Sequence, residues 1–573
     1  MSAAPTRGVG ASLLSEVRQQ LTEAAASMDT ALRASAASVG IARHDATAAA
    51  FHTADGALLA AGRDSHPLLL EAAGEALRGL DGGVAEALRP GDLLATNDPR
   101  AGAPGVEDLV VASPVLAEGR VRFLVSLTAS HLALGRATLA PVDGLRREGL
   151  LLPWTRIGRG DLVAPEILAL LSANAEAPPD FTQDLVAQLH ALRLGRGALE
   201  DLLDRLGPEP VLAASDALRL ACRPALARLL AGIEAEVLRG HAGRIAVELR
   251  PQEAEAGIAV MSDAEACLSP AQAAAAVRAA VRQVLAVETP SLAVLGDLAD
   301  SVRLALPANW SAPSPTAEGR LVLAHDLAAA VLAAFADAVP HMAHAPDAGC
   351  PLLDLRGVRA DGRTYRLRLG LGAGLGASVF GDGLTHAGPA FAPLHLASIE
   401  EIERSAPLRV RSHALLSDSA GPGQYHGGLG SRLEFTLLEG RARADLLVPG
   451  RASGLRGGMR GTPGRVRHLT PEDGTREIEG PARLSLELRA GHRLTLESPG
   501  GGGWGIPFQR SMMRLDEDLL RGLITPEQAK NRYGLVVKPG TLEKDAHLTY
   551  RIRHYLLSTL AVEDIVAGEE LLD

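Results

Sequence analysis

Asp108 and His131 flank a stretch that reads as a β-hairpin, and they are the best candidates for chemistry in this chain. Two apolar runs, 109–116 and 121–128, are joined by Ala117-Glu118-Gly119-Arg120, a hairpin pattern. With the turn centred on residues 117–120, paired positions sum to about 237, so Asp108 is expected opposite Ala129, with His131 two residues further on. Side chains two apart in a strand share a face, which makes Asp108 and His131 diagonal neighbours about 7–8 Å apart. A carboxylate and an imidazole at that separation can converge on one divalent metal, or the carboxylate can orient the imidazole as a general base. The same two residues also fit a strand cap and a buried, hydrogen-bonded histidine. Upstream, the apolar run Gly91-Asp92-Leu93-Leu94-Ala95-Thr96 ends in Asn97-Asp98-Pro99. Asn and Asp bond their own backbone in such corners and Pro fixes the next φ, so a structural role is at least as well supported as a catalytic one.

Asp45, in Arg43-His44-Asp45 just before a strand, and His66, at a helix start, are further candidates. Turn residue is the simpler reading of Asp45, and surface helix start the simpler reading of His66. Gly500-Gly501-Gly502-Gly503-Trp504-Gly505 could form a nest of backbone donors for an anion, but a turn that packs Trp504 against a sheet explains it better. Gly-x-Ser-x-Gly, His-Glu-x-x-His and the P-loop pattern are absent. The lysines are Lys530, Lys538 and Lys544, all near the C-terminal end, so the body of the chain has no Schiff-base or phosphate-cradling lysine. If ATP is used, another chain is expected to bind it.

These residues need a scaffold. The chain has 573 residues, 47% hydrophobic but 3% aromatic, so its core must be built from Ala, Leu and Val. Net charge is −11 and no basic stripe with interleaved aromatics appears, which argues against nucleic acid. Cys222, Cys267 and Cys350 are isolated thiols, which fits a reducing compartment. The first residues carry no apolar secretory signal and no run reaches about 18 uninterrupted apolar residues, so a cytoplasmic protein without a membrane span is expected. Residues 11–40 pattern as a helix. Strands at 46–53 and 57–61 flank Ala54-Asp55-Gly56, and His66-Pro67 opens a helix to about Leu80. Residues 184–206 form an amphipathic helix, and Ser269-Pro270 caps an Ala-rich one. From Asp361 short strands alternate with Gly-rich turns; from Met512 helix returns, with Thr525-Pro526 as a start and Gly534 as a stop. The expected architecture is α+β: a mixed N-terminal region with hairpins (1–207), an Ala-rich helical middle (208–355), a β-rich, Gly-rich domain (356–511) and a helical tail (512–573).

Taken in order, several segments resemble the hydantoinase B / 5-oxoprolinase B family, which also includes a component of ATP-dependent ketone carboxylases. They are Arg43-His44-Asp45, residues 91–108 with the following hairpin, Glu148-Gly149-Leu150-Leu151-Leu152-Pro153, Asp418-Ser419-Ala420-Gly421-Pro422-Gly423, His426-Gly427-Gly428-Leu429-Gly430, and Ser498-Pro499 with the glycine run and Tyr533-Gly534. Each is weak alone; their order over about three quarters of the chain is specific. The resemblance implies a hydantoinase A-type ATPase partner that phosphorylates a cyclic amide or an enolisable ketone, after which the B component hydrolyses or carboxylates it. It implies a divalent metal (zinc, manganese or iron) held in part by Asp45, Asp108 and His131. Two departures stand out. Gly105 occupies the position of a family histidine three residues before Asp108, and Ser130-His131-Leu132-Ala133 stands where the family has His-His-Ala-Asp. A metal held by one Asp, one His and a distant Asp would be weakly bound. The alternative is therefore a B paralogue with a structural role alongside a second, intact B-type chain.

Overall fold

The computed structural model describes residues 10–42, 47–82, 87–131, 149–175, 178–252, 255–261, 268–308, 310, 317–388, 396–471, 474–538 and 540–559. The chain divides into two compact units, residues 1–334 and 335–573. Helices and several sheets occur together, so the fold is α+β as expected.

The first unit is built on a seven-stranded sheet, β1 (Thr47–Thr53), β2 (Leu58–Ala61), β3 (Leu93–Thr96), β4 (Asp108–Ala117), β5 (Arg120–Ser130), β6 (Thr155–Arg159) and β7 (Leu162–Val163). Their order is β2-β1-β5-β4-β3-β6-β7, every neighbouring pair antiparallel. The β4–β5 turn is the two-residue pair Glu118-Gly119, with φ 55° and 73°, as the twist of a tight hairpin requires. Alternation sends Leu109, Val111, Phe123, Val125 and Leu127 to one face, where they pack with Val17, Leu21 and Met28 of the Ala11–Ser35 helix and Phe181, Leu185 and Leu192 of the Pro178–Leu206 helix. The opposite face, with Ala112 and Leu124, meets Leu77 of the Pro67–Arg78 helix. That helix packs in turn on the Pro270–Glu288 helix. Arg282, fully buried there, bonds Glu71 at 2.6 Å and the carbonyls of Leu292, Leu295 and Gly296 at 2.9–3.0 Å. A buried pair so completely hydrogen-bonded fixes one register between the two helices.

The 208–355 segment was expected to be helical, but it also contributes a four-stranded sheet, β8 (Leu238–Ala242), β9 (Ile245–Pro251), β10 (Ala256–Val260) and β11 (Val302–Ala305), in the order β11-β10-β9-β8. These strands are short; β9 and β10 alternate buried Ile245, Val247, Ile258 and Val260 with less buried residues, whereas β8 and β11 are Ala- and Arg-containing with little β-branched content. An 18-residue window of the Ala317–Ala338 helix is long and apolar enough to cross a bilayer, and 72% of it is buried inside the protein.

The second unit holds two antiparallel sheets over one aliphatic core. One has the order β13-β12-β16-β19 and the other β14-β15-β20-β17-β18, with β12 at Leu352–Val358, β13 at Thr364–Gly370, β14 at Leu408–Leu415, β15 at Ser431–Leu437, β16 at Arg441–Val448, β17 at Arg465–Thr470, β18 at Gly474–Glu479, β19 at Ala482–Arg489 and β20 at Arg493–Glu497. Its glycine-rich segments press backbone against backbone. A Cβ on Gly501 would lie 2.0 Å from the Leu375 oxygen, inside any real contact distance. The amides of Gly500, Gly501, Gly502 and Gly503 donate to the carbonyls of Thr462, Gly428, Pro346 and Met459, so the run serves as packing and is not a free anion nest. Trp504 lies 6.1 Å from Tyr425, ring to ring. The tail helices Met512–Leu520 and Pro526–Tyr533 form as expected, the second closing on Gly534 at φ 66°.

Candidate functional site

Asp108 begins β4 and is 3% exposed. Its partner across the ladder is Ser130, not Ala129. The register shifts between Val115 and Leu116: pairs near the turn sum to 237 (Leu116 with Val121), and pairs beyond it sum to 238 (Val115 with Phe123), leaving Arg122 as the extra residue. One inserted residue flips every later side chain to the other face. Ser130 therefore shares the face of Asp108 and donates its hydroxyl to the Asp108 carboxylate. His131 is turned to the opposite face. There its ring lies 5.4 Å from Phe181, edge to face, and its Nε2 is 2.8 Å from Gln188 Oε1. The expected same-face pairing of Asp108 and His131 is thus corrected by a bulge. Pro114, adjacent to the shift, was the available signal, because a proline inside a strand marks an edge or a bulge.

Gln188 fixes the state of that imidazole. Its amide nitrogen donates to the carbonyls of Leu109 and Leu127, at 3.0 and 2.8 Å, so its oxygen faces His131 and accepts from Nε2–H. The Nδ1 lone pair is buried without a hydrogen-bond partner among the described residues, and burial holds the ring pKa low. His131 is a neutral, packed histidine.

The loop before Asp108 is tightly braced. Asn97 donates to the carbonyls of Val106 and Leu150 and accepts from the Leu152 amide at 2.7 Å. Asp98 caps the next turn, accepting from the Arg100 amide and guanidinium. The structural reading of Asn97-Asp98-Pro99 describes these contacts fully. Ser269 and Gln272 form the capping box of the Pro270–Glu288 helix, and both also bind the loop: Ser269 Oγ donates to Pro99 O at 2.7 Å, and Gln272 Nε2 to Ala103 O and Pro104 O at 2.9 and 3.0 Å. Arg320, 1% exposed, lines a small cavity with Leu68, Gly102, Pro104 and Gln272. Burial and the neighbouring Glu107 charge push Asp108 up to about 7, against the opposing pull of the Ser130 hydroxyl and Arg320. A carboxyl tuned to neutrality exchanges protons readily at physiological pH.

Gly105 and Ser130, two positions at which the resemblance implies a histidine that this chain lacks, both abut this carboxylate: a Cβ on Gly105 would lie 3.1 Å from Asp108 Oδ2, and the Ser130 hydroxyl bonds it. Asp45 lies outside the described residues. Among the described residues no group of three or more His, Cys, Asp or Glu is placed to hold a metal. Around Asp108 the described donors are its own carboxylate, the Ser130 hydroxyl and the neighbouring Glu107 carboxylate, a set that lacks, among the described residues, the imidazole that the resemblance implies. His66 differs from its surface reading. It is 8% exposed, its amide bonds Thr47 O, and burial lowers its pKa to about 4. Thr47 pairs with Ala129, so this histidine stands at the Ser130 end of the sheet.

Residues 12–507 match the family model described as hydantoinase B/oxoprolinase. The chain belongs to this family. The beta subunit of caprolactamase from Pseudomonas jessenii is 25% identical over 528 residues, covering 84% of this chain and 88% of that one. The B component of a putative D-/L-hydantoinase from Pseudomonas sp. (strain NS671) is 25% identical over 492 residues, covering 78% and 81%. Among solved structures, the ATP-dependent caprolactamase of Pseudomonas jessenii aligns with TM-score 0.79 at 22% identity, over 94% of this chain and 99% of that one. Nucleotide-free acetone carboxylase aligns with TM-score 0.79 at 16% identity, over 98% and 85%. At these identities the two structures speak for the fold.

Proposed function

We propose that this hydantoinase B-family chain is the B component of an ATP-dependent complex that hydrolyses a cyclic amide or carboxylates a ketone, and that Asp108 is its proton-transfer residue. The observation that carries the reading is a buried carboxyl held near neutrality between Ser130 and Gly105, at the position equivalent to the family's site. Its relatives are named as components of a caprolactamase and of a hydantoinase, which supports an A-type ATPase chain as partner. In the hydrolytic case the partner transfers a phosphoryl group from ATP to the amide oxygen. Water then attacks the activated carbon and its proton passes to the Asp108 carboxylate; the ring C–N bond breaks as the leaving nitrogen takes up a proton, and a second water hydrolyses the resulting acyl phosphate to carboxylate and phosphate. Leu68, Ala72, Leu268 and Ala275 give the small cavity beside Arg320 aliphatic walls.

A second reading is favoured by Gly105, Ser130 and the turning of His131 away from Asp108: a structural B paralogue alongside an intact B-type chain. Co-expression with a candidate A-type ATPase separates the two. Lactam, hydantoin and oxoproline hydrolysis and bicarbonate-dependent ketone consumption are measured with ATP, for wild type and Asp108→Asn. Turnover that falls at least about a hundredfold in the variant supports the first reading, as removal of a general base does. Turnover that needs a second B-type chain and ignores the substitution overturns it.

A further inference from the structure

Asp108 opens β4, so its placement depends on the loop that leads into the strand. The Asp108 amide donates to Gly105 O at 3.1 Å, which closes residues 105–108 into one turn. Just before that turn, Ala103 and Pro104 direct both their carbonyls at one side chain from far along the chain, Gln272 of the Pro270–Glu288 helix. Gln272 is 4% exposed. Its Nε2 gives its protons to Ala103 O at 2.9 Å and Pro104 O at 3.0 Å, while its Oε1 accepts from the Ser269 amide at 3.1 Å. Carbonyls only accept and a backbone N–H only donates, so a single orientation of the side-chain amide fits all three partners.

Capping alone does not call for an amide at this position. A capping box is completed equally well by glutamate, whose carboxylate would serve Ser269 but has no proton for the two carbonyls. The loop is what requires glutamine. The helix that carries Gln272 is also a firm anchor. At the same end Ser269 Oγ donates to Pro99 O at 2.7 Å. Further along, Arg282 pairs with Glu71 at 2.6 Å and Arg278 pairs with Glu75, both carboxylates belonging to the Pro67–Arg78 helix. That helix packs on the Ala112 face of the sheet, which is the face of Asp108. The loop is therefore tied to the sheet twice, once through its own strand and once through the helix pair.

We infer that Gln272 is a positioning residue for the proposed reaction: its two bonds to Ala103 O and Pro104 O fix the path of residues 103–105 and so the approach of the Asp108 carboxyl to the reacting atoms. The inference rests on the reading of Asp108 as the proton-transfer residue. Gln272 acts through the backbone and needs no contact with substrate. Gly105 is where its hold is felt, because it follows Pro104 directly and a Cβ on it would lie 3.1 Å from Asp108 Oδ2. Freeing the two carbonyls lets this segment shift against the carboxyl, and a misplacement of about 1 Å in a reacting geometry costs about a hundredfold in rate.

The test compares wild type, Gln272→Glu, Gln272→Met and Asp108→Asn in the complex with the A-type ATPase, on whichever of the lactam, hydantoin, oxoproline and ketone the wild type turns over. Gln272→Glu keeps an acceptor for the Ser269 amide and turns a carboxylate oxygen on the two carbonyls. Gln272→Met removes the donors without burying a charge, which covers the case in which circular dichroism shows Gln272→Glu to be unfolded. The expected result is a kcat at least about tenfold lower in the folded Gln272 variants with KM within about twofold of wild type, because substrate contacts are untouched. Hydrogen exchange of the full chain supplies a second readout. The amides of Ala101, Ala103 and Asp108, all bonded within the loop, should exchange at least about tenfold faster in both variants, while residues 274–288 of Gln272→Glu keep their protection. Turnover that needs Asp108 but is unchanged in both Gln272 variants, a loss confined to KM, or unchanged exchange across 101–108 overturns the inference and leaves the reading of Asp108 standing. Turnover that ignores Asp108→Asn sinks that reading, and the inference with it.

Discussion

Replacing Asp108 by Asn separates its electrostatic cost from its chemistry. In the folded chain burial and Glu107 hold this carboxyl at about 7, against 3.8 for an unperturbed one. The folded state therefore binds a proton that the unfolded state releases across that window, and stability falls as pH rises from about 4 to 7. Between pH 5 and pH 8 the part of this change that lies below 7 is two pH units, or about 3 kcal/mol at 1.36 kcal/mol per unit. Asn carries no charge and keeps an acceptor for the Ser130 hydroxyl. It adds amide protons that cost about 1–2 kcal/mol if unpaired, at every pH alike. The stability difference between variant and wild type should thus move by about 3 kcal/mol in favour of Asn between pH 5 and pH 8. Urea titrations followed by Trp154 and Trp310 fluorescence, in a Trp504→Phe background, report on the first unit alone. Parallel stability–pH curves for the two proteins would refute the assigned environment of Asp108, whatever happens to turnover.

His52 and His66 act in the opposite sense: burial lowers each to about 4, so the stability they contribute is complete above about 6.5 and is lost as pH falls towards 4. Each accounts for at most about 3 kcal/mol, and acid titration of a His66→Gln variant should show a shallower decline than wild type below pH 6. Glu71→Leu alone leaves the buried Arg282 guanidinium without its carboxylate and should cost about 3–5 kcal/mol, while Glu71→Leu/Arg282→Met should recover most of that in thermal melts. Gly501→Ala, whose methyl would meet the Leu375 carbonyl at 2.0 Å, should cost about 3 kcal/mol or more and depress soluble yield of the second unit. Gly105→His/Ser130→His places two imidazoles beside Asp108 and should create one new Zn²⁺ equivalent by dialysis that disappears when Asp108→Asn is added.

Much of the fold was legible in local patterns because those patterns are local in cause. Glu118-Gly119 sets the β4–β5 turn, Ser269 and Gln272 cap their helix, and Thr525-Pro526 with Gly534 bound the tail helix, each through contacts within a few residues. The candidate site was less legible because it depends on register. The two strands are largely apolar on both faces, with Ser113 and Ser126 buried as well, so the hydrophobic pattern does little to distinguish a sum of 237 from one of 238. His66 was misread for a related reason: a polar residue before a helix looks like a surface cap until the fold is seen to bury it, its amide bonded to the Thr47 carbonyl nineteen positions earlier. The middle sheet was missed although β9 and β10 alternate buried Ile245, Val247, Leu249, Ile258 and Val260 with less buried positions, because each run is short and set in Ala-rich sequence.

The bulge at Arg122 unites these observations. By turning Ser130 rather than Ala129 towards Asp108, it makes residue 130 the neighbour of the carboxylate, and Gly105 approaches the same carboxylate from the loop. Two of the positions at which the resemblance implies histidine are therefore in contact with one acid. A hydroxyl and a hydrogen atom in place of two imidazoles remove ligands but keep the shape: the loop remains clamped by Asn97, Ser269 and Gln272, and the acid remains buried. A site that had merely decayed would have no physical reason to retain a braced loop around an unfavourable buried carboxyl. The braced loop around a buried carboxyl supports the proposed role of Asp108 as a proton carrier.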